Sequence, residues 1–372
     1  MAFDRAKPYN DLPLLPPTLY TESAAVLKAA LRAGRALAEL KGYCQTLPNP
    51  ELLLNAVSLQ ESKDSSEIEN IVTTQDELYR AAASPDDLPG NTSSDTKEVL
   101  RYREAMYTGW DALKGNGLLT TNTLIKIVQR LKNNQDGIRR MPGTVLHNPK
   151  TGQIIYTPPE GEDIIRNKLH ELERFIHADN DLDPLVRMAL IHYQIEAIHP
   201  FADGNGRTGR ILNVLYLVQQ QLLTMPVLYL SAYILANRDE YYHCLRLVTE
   251  AAEWEEWVLY MLTAVDVTAR ETLAQVTALQ ALRQSTYEQV RALLPTAPAR
   301  EIADLLLSYP YVKIQTLINA GVAQRQTSSN YLKALAEGGL LSSLKIGRDI
   351  YYVNDNLLRL FSTARAQRVT RR

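Results

Sequence analysis

Between Ala197 and Arg210 the chain reads AIHPFADGNGRTGR. Few stretches gather so many groups able to act on a phosphate. His199 titrates near neutrality and can take a proton from an incoming hydroxyl. Asp203 is a hard oxygen donor of the kind that holds Mg²⁺ between two phosphates. Arg207 and Arg210 carry planar forks that match phosphate oxygens. Gly204, Gly206 and Gly209, with Asn205 and Thr208 between them, let the backbone approach a ligand closely. A helix starting here adds unpaired N–H groups and a positive dipole end. The implied chemistry is transfer from a nucleotide phosphate, with His199 as general base. Phe201 reads as an apolar anchor for the turn.

The flanking residues set the elements that must position this site. DPLVRMALIHYQIEAI is a helical pattern that has to stop near Ile198, because the residue before Pro200 avoids helical geometry. A second apolar pattern, RILNVLYLVQQQLL, predicts a helix beginning after Arg207. Helical periodicity also covers Glu22–Tyr43, Thr96–Gly115 and TNTLIKIVQRLKNN. Asn49–Val72 holds one helix, or two joined near Ser62. Only Gly143–Pro159 changes to a period of two, around the turn sequence NPKTG, which predicts a β-hairpin. The N-terminal segment, with Pro8, Pro13, Pro16 and Pro17, reads as an extended arm lying on the fold. After the long helical stretch EWEEWVLYMLTAVDVTARETLAQVTALQALRQSTYEQVRALL, residues 296–372 read as three short helices and a hairpin turning at Gly347. That order suggests a winged helix-turn-helix.

Bulk properties narrow the function class. The 372 residues are 45% hydrophobic and 22% charged, with a net charge of −2, which carries no overall nucleic-acid or membrane signature. The exception is local. Residues 296–372 hold 11 Lys/Arg against 5 Asp/Glu, leaving the rest of the chain acidic. Cys44 and Cys244 make no disulfide framework, which fits a cytoplasmic location. No apolar run is long enough to span a membrane, and the N-terminus lacks the apolar core of a signal peptide.

The segment His199 to Arg210 resembles the signature of the Fic (filamentation induced by cAMP) family, H-x-F-x-D/E-G-N-G-R-x-x-R, at every specified position. The resemblance extends from about Tyr9 into the 270s. It implies a mainly α fold, a helical core with a small β-hairpin flap, that transfers AMP from ATP to a protein hydroxyl. The related Doc branch, which phosphorylates, differs around the glycines and first arginine; Gly204 and Gly206 are kept here. Ser65-x-x-x-Glu69-Asn70 is similar to the family's inhibitory motif, in the class that carries it on a helix N-terminal to the core. A glutamate reaching the anion cradle would pair with Arg210 and take the place of the γ-phosphate.

In the same family the hairpin 143–159 is the flap that holds an extended target segment by strand pairing. The stretch Glu240–Cys244 resembles the one that contacts adenine, through Tyr242 or Tyr241. The expected organisation is an arm and inhibitory region over 1–95, a catalytic core with linker helices over 96–290, and a winged-helix-like domain over 296–372. The expected enzyme is a protein adenylyltransferase using ATP and Mg²⁺ on a Tyr, Thr or Ser hydroxyl, its own included. Removal of AMP, with Glu69 aligning water, is the alternative activity. A rival reading is a DNA-binding regulator, with Arg325, Gln326, Thr327, Ser328 and Asn330 facing phosphates or bases. The C-terminal domain could equally dock protein or a second copy of the chain.

Overall fold

The computed structural model describes residues 3–18, 22–47, 50–83, 92–148, 151–346 and 349–361. In chain order the elements are α1 (Ala24–Gln45), α2 (Pro50–Ile68), α3 (Gln75–Ala82), α4 (Ser94–Asn116), α5 (Thr121–Lys132), β1 (Leu146–His147), β2 (Ile154–Tyr156), α6 (Glu162–His177), α7 (Pro184–Ile198), α8 (Asn205–Gln219), α9 (Leu230–Ala236), α10 (Arg238–Ala251), α11 (Trp254–Leu293), α12 (Ala299–Ser308), β3 (Tyr311–Val312), α13 (Ile314–Asn319), α14 (Arg325–Glu337), β4 (Ser342–Ile346) and β5 (Asp349–Val353). They form two compact units. One holds Met1–Lys41, Asp64–Asn70 and Arg101–Ala269; the other holds Gly42–Lys63, Ile71–Leu100 and Arg270–Arg372.

The first unit is built on the packing of α7 against α8, with α6 against α7 and α5 against α8. Helix α7 is capped by the Asp183 side chain, which accepts from the Leu185 N–H at 2.8 Å, with Pro184 preset for the first turn. Nearly every residue from Leu185 to Ile198 is buried, so α7 has no solvent stripe and serves as the central helix. Helix α5 shows the opposite pattern. Its buried Leu124, Ile127, Val128 and Leu131 follow the i, i+3, i+4, i+7 spacing, and a Thr120–Thr123 capping box starts it. β1 and β2 pair antiparallel with an irregular register between Leu146 and His147. The expected hairpin is therefore present but short, and Pro149 and Lys150 of its turn lie outside the described residues.

One boundary in this unit differs from the expectation. Helix α8 starts at Asn205, ahead of the predicted start after Arg207. Gly204 takes the left-handed conformation at the N-cap, so the turn is over before Asn205. Of the two alternatives open for residues 49–72, the described residues form a single helix, Pro50–Ile68. Its polar run from Glu61 to Ser66 is buried, although its composition suggests a solvated face.

In the second unit α12, α13 and α14 pack with a three-stranded antiparallel sheet of order β3-β5-β4. Val290, Ile302, Leu306, Leu317, Leu332 and Tyr352 meet in its core. Strand β3 was not legible in the sequence, because two residues cannot display an alternation. Helix α3 was also unread. It carries a Thr74 cap, and its Asp76 accepts a hydrogen bond from the Tyr311 hydroxyl at 2.5 Å. Of the five side chains expected to face a nucleic acid, Ser328 is buried and donates to the Ala323 carbonyl at 2.9 Å, so it fastens the start of α14. Gln326 donates to Asn330 at 3.2 Å along the same helix. The Gly347 turn and the basic tail beyond residue 361 lie outside the described residues.

Candidate active site

The turn that carries His199 is shaped by its proline. Helix α7 stops at Ile198, and His199 adopts φ 49° and ψ 58° while its N–H still donates to the Ile195 carbonyl at 3.1 Å. The ring is half-buried, with Nδ1 on its buried side. Burial, with the Arg139 charge beside it, pushes the imidazole pKa down to about 4, against the opposing pull of the Glu196 backbone, Glu69 and Asp203. The ring is thus neutral, the form a general base needs, throughout the physiological range.

Arg139 was not among the residues singled out from sequence. It holds the turn from the other side, donating through Nε to the His199 carbonyl at 2.8 Å and through its own N–H to the Pro200 carbonyl at 2.9 Å. Its guanidinium also bonds the Pro159 carbonyl at the exit of the hairpin. A lone arginine between elements gives no spacing signal.

The cradle follows directly in the chain. Phe201 is buried, and Asn205 clamps it, accepting from its N–H and donating to its carbonyl, both at 2.8 Å. Asn205 therefore spends its side chain on holding the loop. The first turn of α8, Asn205 to Arg207, offers N–H groups with no acceptor inside the helix. The side chains of Arg207 and Arg210 are each 1% exposed. Thr208 is fully buried, and its N–H donates to the Gly204 carbonyl at 2.9 Å. Gly209 lies beneath Glu196, whose Oε1 is 2.6 Å from where a Cβ would stand.

Asp203 sits at the mouth. Its Oδ2 pairs with Lys132 Nζ at 2.6 Å, and its Oδ1 accepts from the Gly204 N–H at 2.5 Å. Partial burial raises its pKa, but hydrogen bonding and charge from Lys132, with Arg207, outweigh it and keep the acid ionised. Among the described residues no group of three or more His, Cys, Asp or Glu is placed to hold a metal. A single carboxylate beside a phosphate cradle nevertheless suits Mg²⁺, which takes one or two carboxylates and completes its shell with substrate oxygens and water.

The end of α2 reaches the same place. Arg210 donates through Nε to Ser65 Oγ at 2.8 Å, and through one terminal nitrogen to the Ser65 carbonyl at 2.9 Å and to Glu69 Oε1 at 2.8 Å. Ser65 and Glu69, four residues apart, thus grip one guanidinium from one helix face. Glu69 lies so close to the cradle that a Cβ on Gly206 would collide with its Oε1. Asn70, with φ 62°, turns the chain out of α2 and accepts from Arg238 at 3.2 Å. Burial of Arg210 works against its charge, but Glu69, Tyr241 and Glu196 together hold the guanidinium firmly protonated.

Glu196 is a second residue the sequence did not disclose. It sits one turn before His199 on α7, and its Oε1 is buried without a partner. Burial raises its pKa to about 7, with Arg210 opposing and Glu69 adding to the rise. Its signal was hidden because α7 reads as a core helix. The two tyrosine candidates separate clearly. Tyr241 is buried and its hydroxyl meets Nε2 of the core residue His192 at 2.9 Å. Tyr242 is 40% exposed, packs edge-on to Tyr241 at 5.1 Å and has Arg238 over its ring at 5.8 Å. Of the two, only Tyr242 reaches solvent.

Three family models match this chain. Residues 27–111 match the Fic/DOC family N-terminal region, residues 118–217 match the Fic/DOC family, and residues 282–357 match the C-terminal domain described as protein adenylyltransferase SoFic-like. The chain belongs to the Fic/DOC family. Among its relatives is a probable protein adenylyltransferase of Aquifex aeolicus, 27% identical over 203 residues, 54% of this Fic/DOC chain and 58% of that protein. A protein adenylyltransferase Fic of Drosophila sechellia is 35% identical over 190 residues, 44% of this chain and 36% of that one. The matched part of the chain therefore spans less than two thirds of these relatives' length. A Fic family protein from Desulfovibrio desulfuricans superposes with a TM-score of 0.57 at 20% identity, covering 90% of this chain and 97% of that one. Fic-1 of C. elegans gives 0.52 at 18% identity, covering 68% and 74%. These two likenesses establish the fold. No described helix is long and apolar enough to cross a membrane.

Proposed function

We propose that this chain is a protein adenylyltransferase held in check by Glu69. The observation that carries the reading is the placement of a neutral, half-buried His199 beside the first turn of α8, with Arg210 gripped there by Ser65 and Glu69. In the active state ATP lies with its phosphates on the backbone from Gly204 to Gly209, near Arg207 and Arg210, and its adenine against Tyr242. The hydroxyl oxygen of a Tyr, Thr or Ser in the target attacks the α-phosphorus. The bond from that phosphorus to the bridging oxygen breaks, pyrophosphate leaves, and the hydroxyl proton passes to His199. Mg²⁺ held by Asp203 would neutralise phosphate charge. Most of the rate comes from positioning and from fixed charge, as in other phosphoryl-type transfers.

The target enters as an extended segment along the hairpin 143–159. Residues 1–95 regulate, 96–290 carry out the chemistry, and 296–372 form an accessory domain. With Glu69 in place Arg210 is occupied and the γ-phosphate has no partner, so the α-phosphate is misaligned. The test is incubation of the Glu69→Gly protein and of Glu69→Gly/His199→Ala with labelled ATP, Mg²⁺ and cell lysate, followed by mass spectrometry. Label that appears with the first protein and not the second supports the reading. Label from neither, with both folded, overturns it.

A further inference from the structure

The proline-rich arm predicted from the sequence is present, and it is attached to the flap rather than merely lying on the core. The Tyr9 N–H donates to the Thr157 carbonyl at 3.0 Å, and Thr157 Oγ1 donates to the Arg5 carbonyl at 2.7 Å. The Glu160 N–H donates to Asn10 Oδ1 at 2.8 Å. Phe3 stacks on Tyr156 with ring centroids 6.0 Å apart, and Tyr9 meets the same ring edge-on at 6.4 Å. All of these contacts fall on β2 or the residues leaving it. The arm is itself anchored elsewhere. Lys168 of α6 donates to the Leu12 carbonyl at 2.8 Å, Gln194 of α7 donates to the Pro13 carbonyl at 2.9 Å, and Arg5 pairs with Glu250 of α10 at 2.8 Å.

Tyr156 connects this arrangement to the chemistry. Its buried hydroxyl donates to the Ala197 carbonyl at 2.7 Å, two residues before His199. Arg139 adds a parallel tie between Pro159 and the His199 carbonyl. A two-stranded ribbon with strands of two and three residues is too small to hold its own position. Something outside it must fix the distance from its edge to the base. We propose that the N-terminal arm is a brace that sets the flap against His199, with Tyr156 as the positioning residue through which it acts. Its occupant is the target segment of the adenylyl transfer proposed above, and this inference rests on that reading.

Two variants in the Glu69→Gly background test it. Tyr156→Phe removes one hydroxyl and keeps the ring; Phe3→Ala/Tyr9→Ala removes the arm's grip on that ring. A single hydrogen bond or ring contact of this kind corresponds to a change of up to about tenfold. Each variant is expected to lower kcat/KM for the target by about that factor, with affinity for a non-hydrolysable ATP analogue unchanged. Amide hydrogen exchange at residues 154–157 should accelerate in the arm variant while α8 stays protected. Exchange at 154–157 equal to that of the background, or ATP-analogue affinity falling in step with transfer, would overturn the brace. If the Glu69→Gly background itself transfers no AMP, adenylyl transfer is what fails; the exchange measurement still decides whether the arm fixes the flap.

Discussion

Replacing Glu69 by glycine removes one of the three hydrogen bonds that Arg210 donates to Ser65 and Glu69 and leaves the two to Ser65. The Arg210 side chain is 1% exposed and that of Glu69 33%. Breaking a fully buried ion pair costs about 3–5 kcal/mol. Here one partner is partly in water and two acceptors remain, so the loss is about 1–2 kcal/mol. Glu69 follows the last residue of α2, so glycine adds little helix penalty. On the proposed reading, the same ~1–2 kcal/mol is what ATP must overcome to displace Glu69 from Arg210 in the parent. Removing it multiplies the competent population by about 5- to 30-fold. Transfer of labelled AMP, at matched ATP and Mg²⁺, should rise by that factor. Thermal denaturation without nucleotide should show the variant a few degrees less stable, and ATP with Mg²⁺ should raise its Tm more than it raises the parent's. A variant no more active than the parent, with the same nucleotide-induced shift, would show that the pair does not obstruct ATP.

His199→Ala in the Glu69→Gly background should lower transfer by about 10²–10⁴-fold with ATP binding intact, read by radiolabel transfer and calorimetry. Asp203→Asn should raise the Mg²⁺ concentration needed for half-maximal transfer and change Tm little, because the Asp203 side chain of its pair with Lys132 is 62% exposed; an identical Mg²⁺ titration would remove Asp203 from the proposed metal site. Glu196, with its pKa raised to about 7, binds a proton in the folded state that the unfolded chain releases above the usual carboxylate range. Its contribution to stability is therefore complete at low pH and declines as pH rises from about 4.5 to 7. Tm measured across that window should fall less for Glu196→Gln than for the parent.

The spacing of His199, Asp203, Arg207 and Arg210, with glycines between them, is enough to place a histidine, an acid and two arginines around one tight turn and to propose an anion cradle there. The reason is local: proline stops one helix, glycine permits the turn, and the next helix begins within a few residues. The long helices were legible for a related reason, since their apolar spacing repeats over many turns. The sequence also paired Ser65 with Glu69, because residues four apart share a helix face. Other features depend on approach in three dimensions. Arg139 reaches His199 across 60 residues, and Ser65 reaches Arg210 across 145. Burial of a polar helix, a lone carboxylate at Glu196 and a two-residue strand at Tyr311 leave no periodic trace. Tyr241 and Tyr242 are adjacent and alike in sequence; only packing sends one ring into the core and the other toward solvent. Local backbone rules act through neighbours in the chain and can be read there. The charge on Glu196, the hold on Arg210 and the seat of the flap are set by groups distant in the chain, and the fold alone brings those together.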